Sequence, residues 1–308
     1  MSAYSARRYS FASTASVRTS RDRTQYVACS VCGESSAQYL FFRAGVRFVH
    51  CGGCGLVYVS PVGAAGPCYF DMAEVGRLVT PRDRELALSD LSRMLQQLVR
   101  EHAVRRGEAP ARIVWLGRYL DELAELPGVE VVRLQGSEFA RLSELSQLGA
   151  SVAHLAGAQL VVLNELLEAC SDPGQVLRQV AAALPAGGSI AVAYADVASL
   201  PARLLRRHWP AFFELKRAFF GLPQLLRLAE PCGLSLVAHT AVPAHRTPRY
   251  AAVRLLDALP QARALERWVP ARPELPLFSG LRLATFEKRA PSVSPSVEKI
   301  SVVLPVYE

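Results

Sequence analysis

No stretch of this 308-residue chain approaches the roughly 20 uninterrupted apolar residues that a bilayer-spanning helix needs. The first 25 residues lack the apolar core of a secretory signal, so the cytoplasm is the expected compartment. An Arg/Ser-rich, acid-poor start of this kind also resembles an organelle transit peptide. Histidine is scarce, and none of the six falls into a ligand pair. Acidic residues are outnumbered 27 to 35 by Lys and Arg, for a net charge of +8. Much of that excess is an end effect, because Arg7, Arg8, Arg18, Arg21 and Arg23 stand against Asp22 alone. A basic tail can meet nucleic acid or acidic lipid; here the Ser/Arg composition predicts a solvated, disordered tail over residues 1–25.

Against these shortages stand 51% hydrophobic residues, ample for a core, and a length that allows two domains or one domain with appendages. Of the seven cysteines, four are concentrated. Cys29 and Cys32 form one CxxC pair and Cys51 and Cys54 another, the spacing of a four-thiolate zinc site. Gly33 and Gly55 follow the pairs and let the backbone fold over a metal with its amides toward the sulfurs. Strand-like runs at Gln38–Phe42, Val46–Val49 and Leu56–Val59 complete a small β zinc ribbon over 26–60, with too little core to fold without its metal. Cys68, Cys170 and Cys232 are isolated and read as ordinary reduced thiols.

After a Pro/Gly-containing connector, Thr80-Pro81-Arg82-Asp83 reads as a helix start. Leu88, Leu91, Leu95 and Leu98 then lay one apolar stripe along a helix to about Arg106. Ile113–Leu116 is a buried strand, Gly117 breaks it, Tyr119–Leu126 has helical spacing, and Val129–Leu134 is a second strand. A helix from Ser137, strands at Leu160–Leu163, Ile190–Ala195, Leu234–Val237 and Leu281–Phe286, and helices after Asp172 and at Leu222–Ala229 follow. The alternation predicts an α/β fold, a Rossmann-like three-layer sandwich over 111–288, preceded by the ribbon and by a connector and helix over 61–110. In such a domain the turn after the first strand holds a nucleotide, and its glycines let the main chain approach the ligand. Here Gly117 is followed by Arg118, Tyr119 and Leu120, and Gln135 stands where an acid usually bonds the ribose. The scaffold is complete and the pocket is poor.

The segments CGLVYVSP at 54–61, LVVLNELLEACSDPGQVLRQVAAALPAGGSIAVAY at 160–194 and LPQLLRLAEPCGLSLV at 222–237 resemble class I S-adenosylmethionine-dependent methyltransferases with an N-terminal zinc ribbon. The resemblance covers about residues 29–288. It implies a mostly parallel sheet with an antiparallel edge hairpin made by Leu281–Phe286. It also implies cofactor positions at Gly117, Gln135, Leu163 and Asn164, and zinc on Cys29, Cys32, Cys51 and Cys54. The chain departs from the family at the single glycine, at Gln135, at the compressed loop 153–158 without an acid, and at Ala169, where relatives have His. Four departures in one pocket imply weakened or lost adenosylmethionine binding.

After a Pro/Ser-rich linker over 289–298, the terminal EKISVVLPVYE is similar to the opening strand of family 2 glycosyltransferases, so residues 299–308 are expected to begin such a domain. Three functions follow, in this order. The first is a non-catalytic or weakly active module attached to a glycosyltransferase in surface polysaccharide or glycolipid synthesis. The second is an active methyltransferase on a sugar or lipid-linked sugar, with Glu165 or Glu168 as base and Trp209, Phe212 and Phe213 flooring an acceptor pocket. The third, nucleic-acid binding, ranks last because the ribbon offers only Arg43 and Arg47, opposed by Glu34.

Overall fold

The computed structural model of the chain describes residues 25–43, 46–62, 81–117, 126–134, 155–209, 211–212, 216–248, 250, 252, 269, 275–277 and 279–289. The expected tail, the connector with Cys68, the turn at Arg118–Leu120, Gln135, the helix from Ser137, Phe213, and the linker with the glycosyltransferase-like strand lie outside these residues.

Three strands make the N-terminal ribbon: β1 (Ala37–Arg43), β2 (Val46–Cys51) and β3 (Val57–Val59). The long helix α1 (Pro81–Arg106) follows. Next come β4 (Arg112–Gly117), β5 (Glu130–Leu134), β6 (Leu160–Asn164), α2 (Pro173–Ala183) and β7 (Ser189–Ala195). Helix α3 (Leu200–Leu205), the two-residue β8 (Ala218–Phe219) and α4 (Leu222–Ala229) lead to β9 (Leu234–Ala241). A short pair, β10 (Ala244–Arg246) and β11 (Leu275–Leu277), precedes β12 (Leu281–Lys288).

The main sheet has the order β5-β4-β6-β7-β12-β9. Its first four strands are parallel, and β12 runs antiparallel between β7 and β9. This is the mostly parallel, Rossmann-like sheet with an antiparallel hairpin that the sequence predicts. The continuous apolar runs resolve into two alternating faces. Val114, Leu116, Val161, Leu163, Ile190 and Val192 pack toward α2 and α4, within one cluster that also holds Val176, Leu177 and Leu225. Ile113, Trp115, Leu160, Val162, Ala191 and Ala193 meet α1 through Leu91, Met94, Leu95 and Leu98. Leu88 is only partly buried, while Leu86 is fully so, so the stripe on α1 is rotated slightly from the one read in the sequence.

Helix α1 has a second, polar task. Asp83 and Asp90 lie two turns apart on one face and are both buried. Asp90 accepts from the main-chain N–H of His245 at 2.7 Å, and Asp83 from that of Thr247 at 3.0 Å. The edge of β10 is thus hydrogen-bonded to helix side chains instead of lying open. Arg93 and Arg246 neutralise Asp90 at 2.7 and 3.2 Å.

The ribbon is bonded into the same body. Its sheet runs β1-β2-β3-β8, and the fourth strand comes from residues far along the chain. Val57 pairs with Phe219 and Tyr58 with Ala218, and the N–H of Val59 donates to Arg217 at 2.9 Å. One ribbon face contributes Cys29, Val49, Cys51, Leu56 and Tyr58 to the main core. The other places Phe48, Val57 and Val59 against Trp209, Phe212 and Phe219. Trp209 and Phe212 are buried packing between ribbon and sheet, so they do not floor an acceptor pocket.

At the end of β4, Gly117 has φ of 142°, and a Cβ there would collide with the main-chain oxygen of Asn164 and lie 2.9 Å from its Cβ. Gly117→Ala should therefore cost about 3 kcal/mol, from backbone strain and overpacking together. Urea unfolding would show this as a lowered midpoint at unchanged slope; a shift within error of wild type would mean that β4 and β6 can part without cost.

Candidate functional site

Two CxxC loops bring four sulfurs together. Cys29 and Cys32 precede β1, while Cys51 closes β2 and Cys54 stands in the turn before β3. All four Sγ atoms lie within 4.8 Å of one another, and this is the one such group among the described residues. The closest approaches cross between the loops, Cys29 to Cys54 at 3.4 Å and Cys32 to Cys51 at 3.5 Å. Disulfide sulfurs would be about 2 Å apart. Four thiolates around one ion at about 2.3 Å would instead be separated by roughly 3.8 Å. The donor set and spacing fit tetrahedral zinc, with every coordination position taken by protein, which is a structural rather than a catalytic arrangement.

The loops are shaped for anionic sulfur. Gly33 and Gly55 sit at φ of 74° and 78°, and their N–H groups close turns onto Cys29 and Cys51 at 2.9 and 3.1 Å. Burial opposes ionisation of Cys51, but the N–H groups of Cys54 and Gly53 and the neighbouring thiols outweigh it and bring its pKa down to about 7. Burial pushes Cys29 up, against the N–H groups of Cys32 and Val31, and pushes Cys54 up further. Cys51 is therefore primed in the metal-free cluster while Cys29 and Cys54 are held back, and a dication would favour four thiolates. Cys170, by contrast, is raised by burial to about 12 and donates to Leu166, as an inert core thiol does.

The expected cofactor positions fall at the carboxyl ends of β4 and β6. Gly117 is pressed against Asn164. Leu163 sends its side chain into the core, leaving only main chain toward the sheet end. Asn164 is buried at 3% exposure, and Gln135 lies outside the described residues. Asn164, Glu165, Leu91, Val242, Arg246 and Leu281 line a cleft of about 50 Å³ between α1 and the β9–β10 turn. Ligand pockets usually enclose several hundred Å³.

Glu165 and Glu168, the candidate bases, are joined by a residue that no motif flagged. Lys216 Nζ stands 2.9 Å from Glu168 Oε1 and 3.1 Å from Glu165 Oε2. Glu165 occupies the left-handed region at φ of 54°. Glu168 is fully buried; its Oε1 also accepts from the N–H of Ala195 at 3.1 Å, while Oε2 has no hydrogen-bond partner among the described residues. Burial raises its pKa to about 7, against the opposing pull of Lys216 and with a further push from Glu165. The only sequence sign of this arrangement was a lysine beside an apolar run, Lys216-Arg217-Ala218-Phe219-Phe220.

No protein-family model matches the chain, and no curated protein matches it. Several solved structures are similar to the chain at low identity. One, from Thermotoga maritima, is an S-adenosylmethionine-dependent methyltransferase described as a possible histamine N-methyltransferase. It is 15% identical, with a TM-score of 0.37 over 71% of this chain and 96% of its own. The plantazolicin methyltransferase BamL, in complex with a triazolic desmethylPZN analogue and SAH, is 12% identical, with a TM-score of 0.46 over 72% of this chain and 92% of its own. The 1,6-didemethyltoxoflavin-N1-methyltransferase of Burkholderia thailandensis is 14% identical, with a TM-score of 0.36 over 82% and 100%. Among the described residues no helix is long and apolar enough to cross a membrane.

Metal analysis of protein purified without added zinc should find about one zinc per chain, and Cys51→Ser should release it and loosen residues 29–59. Stoichiometric metal after removal of all four thiols would refute the site. A second expectation concerns Glu168. Its carboxyl keeps its proton to higher pH folded than unfolded, so the stability that it contributes is present below the ordinary carboxyl range and is lost as pH rises toward about 7. With zinc saturating, the stability of wild type relative to Glu168→Gln should fall between about pH 5 and about pH 7. A difference that stays flat across that window would show that Glu168 is ionised as readily inside the fold as outside it.

Proposed function

We propose that this chain is a methyltransferase-like module with a reduced S-adenosylmethionine site and a structural zinc ribbon. In this reading it is non-catalytic or weakly active and is attached to a family 2 glycosyltransferase of surface polysaccharide or glycolipid synthesis. Gly117 carries the reading. It is the one glycine of the nucleotide turn, and none follows before Gly128. Its missing side chain is already needed where β4 meets Asn164, which supports a site with little glycine to spare for a nucleotide. Leu163, buried to 0% exposure, adds no polar group. The described residues at this sheet end, Gly117, Leu163 and Asn164, do not fit adenosylmethionine. The glycosyltransferase attachment rests on the similarity of EKISVVLPVYE alone. Zinc on the four cysteines would cross-link the two ribbon loops and supply no catalytic chemistry.

The active alternative, methyl transfer to a sugar or lipid-linked sugar, is favoured by one observation. Asn164 and Glu165 line a cleft at the carboxyl end of β6, where ligands sit in such sheets.

Calorimetric titration with adenosylmethionine separates the two. The expected dissociation constant is no better than about millimolar, equivalent to ~4 kcal/mol. A glycine-rich turn after Leu116 combined with Gln135→Glu should recover affinity where either change alone does not. Micromolar binding by the unmodified chain would overturn the proposal in favour of an active methyltransferase.

A further inference from the structure

We propose that Lys216 is a positioning residue that fixes the Glu165 end of β6, and that the metal-loaded ribbon is what delivers it there. The inference is independent of whether adenosylmethionine binds.

Lys216 enters its site directly before β8, the strand that the ribbon recruits into its own sheet. On the ribbon side, Val59 and the Val57–Phe219 and Tyr58–Ala218 pairs hold the backbone of 217–219. On the sheet side, the carbonyl of Glu168 accepts from the N–H groups of Arg217 at 2.6 Å and Ala218 at 3.1 Å. The far end of the segment is tied as well. Gln224 Nε2 donates to the carbonyl of Cys54 at 2.6 Å, and its Oε1 accepts from the N–H of Gly221 at 3.0 Å, at the start of α4. Residues 216–224 are thus bonded at one end to the strand after the second CxxC loop and at the other to that loop itself.

The charge at the end of this path is not tolerant of displacement. Lys216 is 3% exposed and Glu168 is fully buried, so each is the other's main compensation for lost hydration. Glu168 already has one oxygen without a hydrogen-bond partner, so losing the ammonium would leave a buried carboxylate held only by the N–H of Ala195. Glu165 is a second charged group at the ammonium. Its backbone lies in a region that a residue with a Cβ rarely adopts, secured by the bond of its N–H to the carbonyl of Ala193 at 2.8 Å. Glu165 is also a wall of the cleft, beside Asn164. The geometry of that wall therefore depends on a lysine whose backbone is held by a metal-stabilised sheet some distance away. The ribbon acts here as a brace for the cleft, with no need to touch a ligand.

Two experiments on the full chain test this. Hydrogen exchange is compared between zinc-loaded protein and protein stripped by a chelator. The amides of Ala195, Arg217 and Ala218, all donors to Glu168, should exchange at least about tenfold faster without metal, while Ile113–Leu116 stay protected. In zinc-loaded Lys216→Met the metal content should be unchanged. The amide of Ala195 should nonetheless lose protection, and the carboxyl ¹³C signal of Glu168 should titrate at higher pH, because its nearest cation is gone. Lys216→Arg should bring both back toward wild type. Unchanged protection of Ala195, Arg217 and Ala218 in stripped, folded protein would sink the role of the ribbon. Wild-type exchange and carboxyl titration in Lys216→Met would sink the role of the lysine.

Discussion

The hydrogen-bonded ladder between β3 and β8 is the constraint on which the rest depends. It is only two residue pairs long, yet it joins a four-thiol ribbon to a Rossmann-like sheet in one hydrogen-bonded unit. A β-strand with an open edge must be paired, covered or charged. The ribbon meets that demand by taking its last strand from the segment after β7. Once β8 is committed, Phe219 and Phe212 must pack on Phe48, Leu56 and Tyr58 must enter the main core, and Lys216 must be buried beside Glu168. A ribbon of this size has too little core of its own. Here it shares two larger clusters, and its four thiols complete the arrangement with Cys29 and Cys51 buried and Cys32 exposed.

The same economy explains the nucleotide end of the sheet. In a parallel α/β sheet the carboxyl ends of the central strands are where a ligand finds main-chain donors. In this chain those ends are turned toward internal bonding. Gly117 accommodates Asn164, Leu163 fills the core, and the segment after β6 is anchored by an ion triplet and by the carbonyl of Glu168. Each contact is favourable for the fold. Glu168 illustrates this. It sits at a position where the resemblance allowed a base, and its main-chain and side-chain oxygens instead join three segments of the protein.

Much of this was legible in the sequence. The CxxC pairs with their glycines specified the thiol cluster, because the spacing of ligand and turn is local. The strands β4, β6 and β7, and helices α2 and α4, were recognisable because their apolar runs are bounded by glycine, proline and Asp172, which caps α2 by accepting from Gln175 at 2.8 Å. What escaped notice was long-range pairing of residues with no local pattern. β8 is two residues long and has no periodicity to read. Asp83 read only as part of a helix start and Asp90 carried no pattern, yet both are buried acceptors for main-chain N–H groups at His245 and Thr247, and Gln224, which no motif marks, bonds both Gly221 and Cys54.

The sequence by itself determined the element types, the α/β class and the cluster of four thiols, since each follows from composition or spacing within a few dozen residues. Only the tertiary structure decided that ribbon and sheet are one body, that Trp209 and Phe212 are packing rather than a pocket floor, and that Lys216 stands between Glu165 and Glu168. The reason is physical. Helix and strand signals are carried by neighbours in the chain, whereas a buried charge is specified by the partners that compensate its desolvation, and here those partners are 48 and 51 positions away.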